Sequence, residues 1–294
     1  PPPPFFFFTH TRESHILSGL VGSEMCIRDR YSPMLNYEGG ILDDLIVYYL
    51  GNESFRIVSN CATREKNHSW LSKIAEPFDV GIDFKSDYSI LALQGPNSYK
   101  FIKSHIEKDI SKFSVHNTDD VMIASTGYTG ELGYEIICDQ EKGIKFWNEF
   151  ISNDVQPIGL AARDTLRLEA GLNLYGTDMD ETNTPYDSNI GWTIDLNDKD
   201  RDFIGKNALE EKKDSKKILK GFYTEERGVL RGGAEVIFEG GSGVVTSGTW
   251  SPTFKKNIGF CRVDKNCGEI GCAVLRDKKI TLKFCNTNFL ESLK

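Results

Sequence analysis

From residue 217 onward the sequence breaks into six short apolar runs, at 219–223, 234–238, 243–247, 259–263, 273–275 and 280–284, set apart by glycine-rich turns. No such run buries its own apolar face, and each leaves a row of backbone N–H and C=O groups to be paired. Strands of this length and spacing close on one another as a small β-barrel or sandwich. A charge-dense stretch over 195–217, with a helix expected at 206–212, precedes them and puts a domain boundary near residues 212–218.

Upstream, strand and helix patterns interleave. Residues 45–50 and 54–59 read as the two strands of a hairpin that turns at Gly51-Asn52. Residues 65–75 have helical spacing, with Trp70, Leu71 and Ile74 on one face and a stop before Pro77. Further strands are expected at 80–84, 88–93, 121–124 and 134–137. Helices are expected from Pro96 toward Ile106, over 142–151, and over 161–170 with Gly171 as the stop. The spacing is too irregular for a doubly wound sheet, so the fold class is α+β.

Composition narrows the function classes. The chain of 294 residues carries 35 Lys+Arg against 43 Asp+Glu, a net charge of −8. That balance argues against nucleic acid as a partner, because phosphate binding leans on clustered Lys and Arg. No run approaches the roughly 18–20 apolar residues needed to span a bilayer, so no membrane role is expected. The seven cysteines are irregularly spaced, and the group Cys261, Cys267 and Cys272 has no histidine nearby. Free thiols in a reducing compartment, and no metal, are the expectation. Residues 1–30 stand apart. PPPPFFFF fits no folded-domain pattern, nothing basic precedes Phe5, and GLVGSEMCIRDR reads as a translated join. This segment is expected to be non-native or disordered.

No nucleophilic triad, P-loop or dinucleotide fingerprint is present. Four clusters remain. Asp43 and Asp44 follow Gly39-Gly40 at the entry to an apolar strand. Their side chains point to opposite faces, so at least one tends inward, where a carboxylate handles a proton or steadies a cation. Turn chemistry explains the same pair without a function. In the second cluster, residues 126–135, three glycines let backbone approach a ligand, Tyr128 offers a ring, and Glu135 could pair with a heterocycle's amino and ring N–H groups. A plain hairpin tip fits as well. In the third, Arg163 and Arg167 share a helix face and could clamp a carboxylate or polarise a ring carbonyl. Pairs such as Arg163 with Asp164, or Arg167 with Glu169, equally suit ordinary surface charge. In the fourth, Arg227-Gly228-Val229-Leu230-Arg231 and residues 246–253 both fall in the β-rich part; a strand-end Arg231 beside glycine turns could reach across a domain interface, and a turn and edge charge fits as well.

In order along the chain, these clusters resemble the glycine cleavage T-protein family of aminomethyltransferases. The stretches are NYEGGILDDLIVYYL, SNCATREKNHSWL, LALQGPNS, STGYTGELGYEI, IGLAARDTLRLEAGLNLYGTDMDETNTP, GWTIDL, RDFIGKNAL, RGVLR and TSGTWSPT. The resemblance implies a folate-binding aminomethyltransferase-like region over 31–212 and a C-terminal β-barrel over 218–290. It implies transfer of a one-carbon unit to tetrahydrofolate, as co-substrate, from the aminomethyl group on the lipoyl arm of H protein. Ammonia and 5,10-methylenetetrahydrofolate are the products. Asp44 matches the family's critical carboxylate, with Asp43 ranked below it. Asn60, Tyr128, Glu135 and Arg163 match folate contacts, and Arg231 matches an arginine that holds the active-site carboxylate and lipoyl end. At the C-terminus Lys283-Phe284 and Phe289 stand where the family often has Pro-Phe and Tyr, so a hydroxyl contact is missing.

The family's opening Phe-x-Gly-Trp and Asp-Val-Ser-His-Met stretches are not in this chain, so a missing front, weak or no activity and poor solubility are expected. The alternative is the folate-dependent domain of a dimethylglycine or sarcosine oxidising enzyme. A folate-binding relative acting in iron–sulfur maintenance is discounted, because its Lys-Gly-Cys-Tyr-x-Gly-Gln-Glu stretch is replaced here by residues 160–169. A monomer is expected, in the bacterial cytoplasm, or in the mitochondrial matrix if the source is eukaryotic.

Overall fold

The computed structural model describes residues 5–9, 30–118, 120–198, 202–275 and 278–293. They fall into two compact units. One comprises Pro1–Gly127, Glu131–Pro157 and Thr193–Lys206; the other comprises Tyr128–Gly130, Ile158–Trp192 and Asn207–Lys294. Neither unit is one continuous piece of chain.

The first unit contains two antiparallel sheets. The first sheet is built from β1 (Phe5–Thr9), β2 (Arg30–Leu35), β3 (Ile41–Gly51), β4 (Ser54–Ser59) and β5 (Gly81–Phe84), in the order β2-β3-β4-β1-β5. The expected hairpin is present, with Leu45 opposite Ser59 and Gly51 opposite Ser54. Its turn residues Asn52 (φ 50°) and Glu53 (φ 59°) are both left-handed, the turn whose twist matches paired strands. β1 pairs through its backbone with β4 and β5. Apart from Phe5–Thr9 and Arg30, the segment 1–30 lies outside the described residues.

Helix α1 (Arg64–Ala75) covers one face of this sheet. Its Leu71, Trp70 and Ile74 pack with Met34, Leu45, Val47 and Ile57. The second sheet follows in sequence: β6 (Tyr88–Gln94), then α2 (Ser98–Ile102), β7 (Val115–Asn117), β8 (Val121–Ala124), β9 (Gly133–Asp139) and α3 (Gln140–Ser152), with strand order β6-β9-β8-β7. Ile102 of α2 and Phe150 of α3 pack on its outer face against Leu93, Ile123, Tyr134, Ile136 and Cys138. Tyr48, Ile46 and Val58 of the first sheet meet Met122, Ala124 and Ile137 of the second. The unit is therefore a stack of helix, sheet, sheet and helices. Side chains alternate along a strand. Odd positions of β3 such as Leu45 and Val47 thus face α1, and even positions such as Ile46 and Tyr48 face the second sheet.

Two helices differ from expectation for local reasons. α3 starts at Gln140 rather than 142, because the carboxylate of Asp139, the last residue of β9, accepts from the Lys142 N–H at 2.8 Å. One residue ends the strand and caps the helix. α2 stops at Ile102, and Lys103–His105 tighten into a single 3-10 turn.

In the second unit, α4 (Leu160–Glu169) ends as a Schellman cap. Leu172 N–H bonds the Arg167 carbonyl, and Gly171 N–H bonds that of Leu168. Gly171 is left-handed (φ +83°), and a Cβ there would stand 2.9 Å from the Asn288 backbone. After α5 (Lys206–Glu211) come β10 (Lys217–Thr224), β11 (Glu235–Phe238), β12 (Gly241–Ser251), β13 (Lys256–Asp264), β14 (Ile270–Leu275), β15 (Lys278–Cys285) and the short α6 (Phe289–Ser292). The six strands close as a barrel in the order β10-β13-β12-β11-β14-β15. Phe222, Leu230, Val236, Val245, Val263, Ile280 and Leu282 lie in one buried cluster of the barrel. In another cluster Leu168 of α4 and Phe289 of α6 pack on Leu219, Ile258 and Phe260. Among the described residues, no helix is long and apolar enough to cross a membrane.

Candidate functional site

The adjacent carboxylates of β3 have different surroundings, and strand alternation is the cause. Asp43, at an odd position, is fully buried. Its oxygens accept from the Asn60 amide at 2.7 Å, the Thr63 hydroxyl at 2.6 Å, the Asn67 amide at 2.5 Å and the Asn60 backbone N–H at 3.3 Å. Those donors sit on the turn after β4 and on the first turns of α1. Asp43 thus anchors the chain where it leaves the sheet. Asp44 is half-buried and shares the Asn60 amide at 2.8 Å. Tyr31 of β2 also donates to it. Burial, and then the Asp43 charge, push the Asp44 carboxyl up to about 6, against the downward pull of Asn60 and Tyr31. A group with that value exchanges protons readily near neutral pH. Asp44 and Asn60 are therefore brought together, and Asp43 has a structural place.

Glu135 occupies an odd position of β9, on the side of Ile137 and thus on the face turned to the first sheet. It is half-buried, and the Thr126 hydroxyl donates to its Oε2 at 2.5 Å. Burial raises its carboxyl above the usual range, and the Thr126 bond pulls it back. Asp44 and Glu135 thus lie on the mutually facing sides of the two sheets. The two carboxylates singled out from the sequence share one layer interface of the first unit.

The second unit holds Tyr128, Arg163 and Arg231. The Arg163 guanidinium lies 5.9 Å from the Tyr128 ring centroid, in cation–π range. The Tyr128 hydroxyl donates to the Asn173 carbonyl, so its ring, not its hydroxyl, is what a ligand would meet. Arg163 is exposed, and so are Ala161 and Ala162 before it. Arg231 is exposed, and its Nη1 donates to the Gly248 carbonyl of β12 at 3.3 Å.

The surface-charge reading of α4 needs correction. Arg167 is 1 % exposed. It donates to Asp164 at 2.8 Å, Asp178 at 2.6 Å, the Leu172 carbonyl at 3.1 Å and Ser247 at 2.9 Å. Asp178, also fully buried, further accepts from Thr246 at 2.5 Å and Ser247 at 2.7 Å. Glu169 pairs not with Arg167 but with the hydroxyls of Ser251 and Thr253. This network ties α4 to β12. Helical spacing alone could not reveal it, because Asp178 and Ser247 are remote in sequence. Tyr31, Thr63, Asn67 and Thr126 carry no signal of their own in the sequence, because the carboxylates they bond are remote along the chain.

The six described cysteines outside 1–30 are free thiols. Among the described residues, no group of three or more His, Cys, Asp or Glu could hold a metal ion.

A four-layer α/β unit with a bridged carboxylate pair, together with a closed-barrel unit bearing exposed arginines, defines a class of multi-domain α+β proteins. The model of the GCVT N-terminal domain matches residues 20–198, and that of the glycine cleavage T-protein C-terminal barrel domain matches residues 217–290. The chain belongs to the glycine cleavage T-protein family. It is similar to the crystal structure of glycine cleavage system aminomethyltransferase T from Bartonella henselae, with 30% identity and a TM-score of 0.92, covering 98% of this chain and 84% of that one. Heterotetrameric sarcosine oxidase from Corynebacterium sp. U-96, in complex with pyrrole 2-carboxylate, matches at 14% identity and a TM-score of 0.36 over 53% of this chain and 83% of that one, too distant to carry an argument.

Proposed function

We propose that the protein is a tetrahydrofolate-dependent aminomethyltransferase of glycine cleavage. It accepts the aminomethyl group borne on the dihydrolipoyl arm of H protein. The N5 and N10 amines of the folate each form a bond to that carbon as its bonds to nitrogen and sulfur break, and their two protons leave on ammonia and on the lipoyl thiol, so that 5,10-methylenetetrahydrofolate and the reduced lipoyl arm are released. Family membership and the likeness to an aminomethyltransferase support this reading.

The observation that carries it is the environment of Asp44, a half-buried carboxyl titrating at about 6 beside a fully bonded Asp43. The transferred carbon passes through an iminium-like cation while the folate amines lose protons. An ionised Asp44 steadies the cation, and its proton affinity suits it to take up a released proton. In this reading Asn60 orients Asp44 and Glu135 pairs with the pterin edge; roles for Tyr128, Arg163 and Arg231 toward the folate and the lipoyl end rest on the resemblance of their motifs alone. The H protein partner and a bacterial cytoplasmic location rest on the resemblance of the motifs. No specific observation favours the dimethylglycine or sarcosine alternative.

The test supplies aminomethylated H protein and tetrahydrofolate and follows ammonia. Release that depends on added folate is expected. Release at the folate-free rate overturns the proposal.

A further inference from the structure

Behind Glu135 stands a short chain of hydroxyls with a fixed direction. The Thr126 hydroxyl has one proton, and it is given to Glu135 Oε2 at 2.5 Å. Tyr48 Oη lies 3.3 Å from Thr126 Oγ1, so with Thr126 committed to Glu135 the tyrosine is the donor of that pair. Tyr48 is fully buried in the layer between the sheets. The backbone of Thr126 is held as well. The Gln94 amide donates to its carbonyl at 3.2 Å. That amide fits because residues 127 and 133 are glycines, where a Cβ would stand 1.8 Å and 2.4 Å from Gln94 side-chain atoms. Among the described residues, Glu135 Oε1 accepts no hydrogen bond.

We propose that Thr126, backed by Tyr48, is a positioning residue that fixes the Glu135 carboxylate with Oε2 engaged and Oε1 turned to an amino-heterocyclic ligand. The inference rests on the reading of Glu135 as the contact to the pterin edge. A carboxylate that must accept two donors from a flat ring loses affinity if its plane is free to rotate or if it is protonated. Thr126 acts against both. The strands flanking Glu135 set Ala124 and Ala92 opposite it, so neighbouring charge does not do this work. Among the described residues, Thr126 is the side chain bonded to it, with Tyr48 behind, and Asp44 of β3 is a titratable group on the facing side of the first sheet. Burial and the Thr126 bond are what shift the Glu135 carboxyl.

The experiment measures tetrahydrofolate binding calorimetrically, without oxygen, from pH 6 to 9, on the full chain and on Thr126→Val, Thr126→Ser, Tyr48→Phe and Glu135→Ala, with thermal melts confirming folding. Thr126→Val should weaken binding about tenfold at pH 7. Its deficit should grow toward pH 6 and shrink toward pH 9, because a carboxyl without its donor holds its proton to higher pH. Thr126→Ser should restore affinity, and Tyr48→Phe should show a smaller deficit with the same pH trend. If Thr126→Val fails to fold, the Tyr48→Phe profile decides. Equal losses in the Val and Ser variants, or a deficit independent of pH, overturn the positioning role. Normal binding by Glu135→Ala instead overturns the underlying reading of Glu135, and the inference with it.

Discussion

Asp43 and Asp44, consecutive in sequence and on opposite sides of β3, share a single donor: the Asn60 amide reaches one oxygen of each, at 2.7 Å and 2.8 Å. Further donors saturate Asp43, while Asp44 keeps a raised proton affinity. The bridge leaves Asp43 saturated as an anchor and Asp44 with a carboxyl raised to about 6, the property on which its proposed role rests.

Replacing Asp44 by Asn should therefore lower turnover by on the order of 100-fold or more while tetrahydrofolate affinity stays within about threefold. Parallel measurement of ammonia release and of folate binding checks this. Normal turnover would remove Asp44 from the chemistry.

The same substitution has a stability signature. The Asp44 carboxyl is raised on folding from 3.8 to about 6, so the native state binds its proton more tightly than the unfolded chain. Its contribution is full below the unfolded value and is lost as pH rises through about 6. Asp44→Asn should melt about 2–4 °C above the parent at pH 7.5, with the gap closing toward pH 4. Melting curves across that range test the sign, and a gap that widens on acidification contradicts it.

Asp43→Asn turns an amide N–H toward donors that need an acceptor. A loss of about 2–4 kcal/mol in urea unfolding is expected. Removal of the neighbouring charge should also shift the acid limb of the activity profile to lower pH. An unchanged urea midpoint would show that the anchor is dispensable.

Arg167→Met leaves the buried Asp178 charge uncompensated, for a cost of about 3–5 kcal/mol. The double variant Arg167→Met/Asp178→Leu should recover much of that loss. Denaturant midpoints of both single variants and the double close the cycle; strict additivity would mean that the two side chains act independently.

Tyr128 offers a ring, with its hydroxyl turned to Asn173. Tyr128→Phe should bind tetrahydrofolate within about threefold of the parent, whereas Tyr128→Ala, which also removes the surface beneath Arg163, should lose about tenfold. Equal losses in both would assign the contact to the hydroxyl.

Alternation and turn chemistry are local, and they made much of this protein legible in its sequence. The β3–β4 hairpin, α1, and the six barrel strands all stand where period-two and helical spacing put them, because each depends on residues a few positions apart. The Asp43–Asp44 pair could be singled out for the same reason: consecutive strand residues must face opposite ways. Which carboxylate would be saturated was not legible, since that depends on Asn60, Thr63 and Asn67 folding back onto the strand from beyond a hairpin. Arg167 shows the limit more sharply. Its spacing from Arg163 and Glu169 reads as surface charge, yet Asp178 and Ser247 bury it. Sequence decides which groups can ionise or donate, but burial and long-range partners decide how they do, because desolvation and hydrogen bonding act through space and not along the chain.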